Sequence, residues 1–340
     1  MSFNTRLLVA AGALCAAALA QTPAAAQTSD IYANKNLTMI IGFGPGGGYD
    51  LWGRTVGRHI VKYLPGNPAA VPQNMPGAGS YSAAAYIYNI APKDGTVIGI
   101  IARDAALGPI TGAEGARFDP LKISWLGTPT TETNVCISRA GADVQSVDDL
   151  YKKTLIVGDT GAGTGTRSYP KALIDLLGMK FKLISGFPSS SDVFLAMERG
   201  EVDGICESLD SVKGKRPDWL PNNKVKVIFQ GGAEPSAELK GVPFVLDFAR
   251  NEEEKQSLTF LYAGQGIGRP FVAPPNMAPE RLAMLRKAFM ETMKDADFIA
   301  DAKKQKLDVE PEDGEHLEKL IRLIYATPKP IVDKIGALIK

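Results

Sequence analysis

The chain has 340 residues, 45% of them hydrophobic and 22% charged, enough for about two ordinary globular domains with real cores. Lysine and arginine total 38 against 37 for aspartate and glutamate, so no large positive field marks a nucleic-acid binder. His59 and His316 are the only histidines, which excludes His-rich metal centres and leaves little material for a Ser-His-Asp engine.

In chain order, Arg6 precedes an apolar run over residues 7–20, and Ala24-Ala25-Ala26 before Gln27 fits a small-residue cleavage site. Residues 1–26 are therefore expected to be a cleaved signal peptide, too short and alanine-rich for a good membrane span. Cys15 follows Leu14 rather than a small residue, which argues against a lipid anchor. Export predicts a periplasmic protein, in a compartment where NAD, ATP and coenzyme A are scarce. Cys136 and Cys206 then remain. Each sits in a short apolar run that reads as a buried strand, so they are either a disulfide, possible in an oxidising compartment, or two separately buried thiols.

Residues 37–43 form a β-prone run, and Trp52, Val56, Ile60 and Leu64 recur at helical spacing behind it. A proline-rich passage over 65–79 leads to an alanine-rich helix at 80–90 and a strand at 96–102. One long extended stretch follows at 125–138. A second alternating series then begins, with strands at 155–158, 181–185 and 225–230 and helices at 169–177 and 191–199. Another extended passage at 264–273 precedes Pro274-Pro275 and a run of C-terminal helices. This βαβ rhythm predicts an α/β fold with two mainly parallel sheets and helices on both faces. The two extended crossings predict a discontinuous first lobe, residues 27–129 plus 264–340, around a second lobe of residues 130–263.

The most informative stretch is Gly42-Phe43-Gly44-Pro45-Gly46-Gly47-Gly48-Tyr49-Asp50, between a strand and a helix. Glycines there let backbone N–H groups approach a ligand at the positive end of a helix dipole, a geometry that binds anions. The spacing Gly42, Gly44, Gly47 formally matches a dinucleotide fingerprint. However, Pro45 lies inside the turn, and no acidic residue occurs between Asp50 and Asp94 to hold a ribose. A second loop, Thr160-Gly161-Ala162-Gly163-Thr164-Gly165-Thr166, repeats the device and adds threonine hydroxyls. The two loops read as opposing jaws around one anion, or else as tight turns. Five Lys or Arg and one acid between residues 31 and 93 favour the anion.

At these residues the sequence resembles the Bug-type, TctC-like extracytoplasmic solute receptors of tripartite tricarboxylate transporters. The matching segments are PGGGYD (45–50), N-x-PGAG (74–79), APKDGTVIG (91–99), GAGTGT (161–166), AMERGEVDG (196–204) and FVAPPNMAPERL (271–282), in family order along the chain. The resemblance implies a two-lobed type II periplasmic-binding-protein fold that closes on a small organic mono- or dicarboxylate. It also implies a monomer without a cofactor that hands its ligand to membrane permease subunits. It places Phe43, Gly44, Gly46, Gly47, Gly48, Tyr49, Asp50 and Asn74 on one side of the ligand. Thr160, Gly161, Ala162, Gly163, Thr164 and Thr166 lie on the other.

The chain departs from the usual pattern at Arg103-Asp104, at Phe187-Pro188-Ser189-Ser190, and at Glu207, where an aspartate is common. Arg103 at a strand's C-terminal end either takes a distal carboxylate or pairs with Asp104 or another neighbour. Asp50 either caps its helix or orders the loop beside it. Glu207 would repel an anion and suits a ligand hydroxyl or a cationic partner. His59, Tyr49 and Trp52 read as packing residues. Two other functions are weighed on the same pattern. One is a binding module reporting to a membrane sensor. The other is an exported α/β hydrolase, disfavoured because the sequence lacks a G-x-S-x-G elbow.

Overall fold

The computed structural model describes residues 31–339; the expected signal peptide lies outside the described residues. Two sheets organise the chain. The first runs β11-β4-β10-β3-β1-β2, from β1 (Leu37–Ile41), β2 (Ala70–Asn74), β3 (Val97–Ile100), β4 (Ser124–Thr128), β10 (Phe271–Ala273) and β11 (Glu312–Asp313). The second runs β7-β6-β8-β5-β9, from β5 (Asn134–Arg139), β6 (Leu155–Asp159), β7 (Phe181–Ser185), β8 (Gly204–Ser208) and β9 (Val225–Gly231).

Both sheets are mixed, with most strands running parallel and a minority reversed. Strands β1–β2, β1–β3, β6–β7 and β6–β8 are parallel, whereas β10 and β11 in the first sheet and β5 in the second pair antiparallel. The cause is the double crossing. The predicted single stretch at 125–138 is β4 of one sheet and β5 of the other. The chain returns through β10, inserted between β3 and β4.

Local chemistry explains the elements. Leu37, Met39, Ile40 and Ile41 are all fully buried, as expected for an interior strand covered on both faces. Helix α1 (Gly48–Ile60) buries Trp52, Val56 and Ile60, one turn apart, and packs on β1 and β2. Strand β2 carries Pro72 and lies at the sheet edge, where a missing N–H is tolerated. The remaining helices of the first half are α2 (Tyr81–Asn89), α3 (Val147–Lys152), α4 (Gly165–Leu177), α5 (Ser190–Glu198) and α6 (Leu209–Lys215).

Helices α7 (Glu252–Tyr262) and α8 (Gly264–Ile267) lead into the return crossing, so the expected extended passage begins as a helical turn. Gly268, at φ +64°, ends that turn against the Thr130 carbonyl, where a Cβ would have no room. Helices α9 (Pro279–Lys294), α10 (Ala296–Lys304) and α11 (Gly314–Tyr325) follow, and α9 and α11 pack on β4. The last, α12 (Lys329–Ile339), packs on α4 and α7 instead.

Cys136 and Cys206 face each other in the β5–β8 register, with Cα atoms 4.0 Å apart, and form a disulfide. Among the described residues, no helix is long and apolar enough to cross a membrane.

Candidate functional site

A small pocket with a cavity volume of about 30 Å³, partly open to solvent, lies where the two sheets face each other. Three helices begin at its wall. Gly47 and Gly48 open α1, Thr164, Gly165 and Thr166 open α4, and Ser189 and Ser190 open α5. No residue preceding these helices caps them with its own side chain. First-turn N–H groups and three positive dipole ends therefore converge on one space.

The first loop is held from behind. Asp50 accepts the Gly46 N–H at 2.9 Å with one oxygen, and Arg54 Nε and Asn74 Nδ2 at 2.8 Å with the other. Asn74 also donates to the Phe43 carbonyl at 2.8 Å and accepts from Arg54 Nη2. Asp50 thus orders the loop rather than capping its own helix. Phe43 and Tyr49 stack at 4.4 Å and do line the pocket. Gly44, Gly46, Asp50 and Asn74 stand behind it.

The second loop closes on itself. Thr166 Oγ1 meets both Thr160 Oγ1 and Thr164 Oγ1, at 2.9 and 2.8 Å, and accepts the Thr160 N–H. Thr164 Oγ1 also reaches the Gly161 carbonyl at 2.7 Å. Thr160, Thr164 and Thr166 line the pocket, whereas Gly161, Ala162 and Gly163 lie outside its lining. Two of the latter serve the contact between lobes. A Cβ on Gly79, at φ +62°, would fall 1.9 Å from the Ala162 carbonyl oxygen, and one on Gly163 would strike Tyr81. Ser191 adds a bond across the cleft, donating to the Gly46 carbonyl at 2.7 Å. Phe187 packs over Gly158 in the second lobe, outside the lining.

Arg103 lines the pocket beside Ala102, Asp104 and Glu207. Asp104 comes no closer than 3.9 Å to its Nε. Arg103 pairs through Nη1 with Glu132, whose other oxygen holds Arg269 Nε. Arg269 also donates to Ser211 Oγ at 2.9 Å and lies over the Tyr49 ring at 4.2 Å, while the Tyr49 hydroxyl accepts the Arg103 N–H at 3.0 Å. Asp104 accepts the Tyr169 hydroxyl at 2.8 Å and the Gly165 N–H. Burial pushes its carboxyl up, against the pull of Arg103 and these donors.

Glu132 and Arg269 escaped the sequence reading, yet a signal was there. Glu132 is the sole charged residue between Lys122 and Arg139, and Arg269 the sole one between Lys255 and Glu280. A lone charge inside a long apolar crossing needs a buried partner, and these two are each other's.

No protein-family model and no curated relative matches the chain. Solved structures do. The periplasmic binding protein BugD aligns with a TM-score of 0.72 at 16% identity, covering 90% of this chain and 99% of its own. A TctC solute binding protein from Polaromonas gives 0.59 at 18%, covering 89% and 99%. MatC from Rhodopseudomonas palustris, with bound malate, gives 0.69 at 17%, covering 88% and 99%. The chain has the two-lobed fold of the Bug- and TctC-type periplasmic solute receptors.

Proposed function

We propose that the protein is an exported, monomeric solute receptor that closes its lobes over one small organic carboxylate and delivers it to a tripartite tricarboxylate-type permease. The observation that carries this is the meeting of three helix starts, from both lobes, on one pocket. A carboxylate there would accept backbone N–H groups from each lobe and so favour the closed arrangement. Malate bound to MatC supports the ligand class on the same fold. No catalytic step is assigned. His59 meets Asp301 on α10, and His316 lies beside Glu312, both away from the pocket.

A thermal-shift screen of mono-, di- and tricarboxylates tests the proposal. A ligand at 100 times its Kd adds about 2.7 kcal/mol, a rise of roughly 4 °C in Tm. NAD, ATP and neutral sugars should give none. A shift with sugars and none with any acid would overturn the assignment. Delivery is tested separately, since deleting the gene should abolish cellular uptake of the same acid.

A further inference from the structure

The pocket carries more negative charge than its cations balance. Five ionisable side chains are buried together at its wall and behind it: Arg103, Arg269, Glu132, Glu207 and Asp104. Glu132 engages both guanidiniums. Glu207 is left 3.9 Å from Arg103 Nη2 and 4.0 Å from Arg269 Nη2, beyond hydrogen-bond reach. Its Oε1 accepts the Ser208 N–H at 2.7 Å; among the described residues no side chain donates to its other oxygen. Asp104 is served by a hydroxyl and an amide, with no cation closer than 3.9 Å.

Two cations thus face three acids. Protonating Asp104 would bring the sum to zero and still free neither arginine. A ligand with a second carboxylate would bring a further buried negative charge beside Glu207 and find the one lining cation, Arg103, already paired through Nη1 with Glu132, though its Nε keeps no hydrogen-bond partner among the described residues.

Given that the pocket receives a carboxylate, as proposed above, we infer that its solute is a zwitterion: one carboxylate for the helix starts and one ammonium group received by Glu207. The ammonium has three donors, enough for the open Glu207 oxygen and a nearby hydroxyl such as Ser190. The inference concerns the second group on the ligand and leaves the grip on the first unchanged.

Calorimetry with matched probes tests it. Three triples share a spacer of one, two or three methylenes: acetate, glycine and malonate; propionate, β-alanine and succinate; butyrate, 4-aminobutyrate and glutarate. Two further pairs, alanine with propionate and leucine with 4-methylpentanoate, carry the amine beside the carboxylate. In the best-binding set the amino compound should bind at least tenfold tighter than the plain acid or the diacid. Glu207→Gln should erase that advantage, and the plain acid, relieved of a like charge beside it, should bind no more weakly than before. Glu207→Asp, which keeps the charge, should retain part of it, and an unchanged Tm in each variant excludes misfolding as the cause. A diacid that binds best, or an amino preference indifferent to Glu207→Gln, overturns the inference but leaves carboxylate capture standing. Failure of every probe, with sugars or cations bound instead, overturns both.

Discussion

Glu132 is the residue on which the junction between the lobes depends. Its side chain is fully buried, and it is the acid in direct contact with the guanidiniums of both Arg103 and Arg269, themselves almost wholly out of solvent. Glu132→Gln keeps the shape but removes the charge, and its amide NH₂ would point a donor at one of two guanidiniums. Breaking a buried pair by removing one partner costs roughly 3–5 kcal/mol, because the remaining charge stays desolvated. For a protein of this size that is a fall in Tm of roughly 5–8 °C. Scanning calorimetry measures it directly, and a double variant with Arg269→Met should recover part of the loss, since the unpaired cation is then gone. The single variant also leaves Arg103 uncompensated, so succinate should gain affinity relative to propionate. An unchanged melting temperature, or a double variant weaker than the sum of its parts, would refute the assignment of Glu132 as the common counter-ion.

Gly79→Val would place a side chain where the Ala162 carbonyl sits in the closed structure. Ligand affinity should fall by more than tenfold, and small-angle scattering should show an expanded molecule that ligand no longer compacts. Near the second crossing, the half-buried Asp210 carboxyl is pushed up to about 6, chiefly by lost solvation and next by Asp308. A carboxyl raised in the folded state favours that state while protonated, so its contribution is present below about pH 4 and is lost as pH rises through 6. Asp210→Asn should flatten that part of the stability profile measured by denaturant titration. Reducing the Cys136–Cys206 bond reopens a loop of sequence separation 70. On the chain-entropy model this removes about 4 kcal/mol, visible as a lower denaturant midpoint, and an unaltered midpoint would mean the bond adds nothing.

What could be read in advance was local. The apolar run behind β1 and the one-turn spacing of Trp52, Val56 and Ile60 announce a strand and a helix whatever lies around them. The glycine loops announce helix starts near a ligand. Strand β2 was hidden because Pro72 is compatible with a strand only at an edge, and edge position is a property of the assembled sheet. The same limit applies to Arg103. Its position beside the pocket follows from its strand, but its partner Glu132 comes from the crossing and is shared with Arg269, 137 residues further along. Gly161 to Gly163 were assigned to the ligand because their composition is that of an anion loop. The positive φ angles of Gly161 and Gly163 and the lack of room for a Cβ at Gly163 also serve the turn and the approach of the first lobe.

The place of β10 governs the order in which this molecule can be assembled. The strand is one of the later elements of the chain, yet it fills the middle of the first sheet, between β3 and β4. Until residues 271–273 are available, β3 and β4 have open edges and cannot be joined, however long the earlier segments have been present. The second sheet needs only residues 134–231, all contiguous, and its disulfide lies wholly within that span. The inner lobe can therefore mature as a self-contained unit while the outer one waits for its keystone. Pulse-labelled hydrogen exchange during refolding should protect the amides of β5 and β8 before those of β3 and β4. Simultaneous protection would show that the two lobes are committed together.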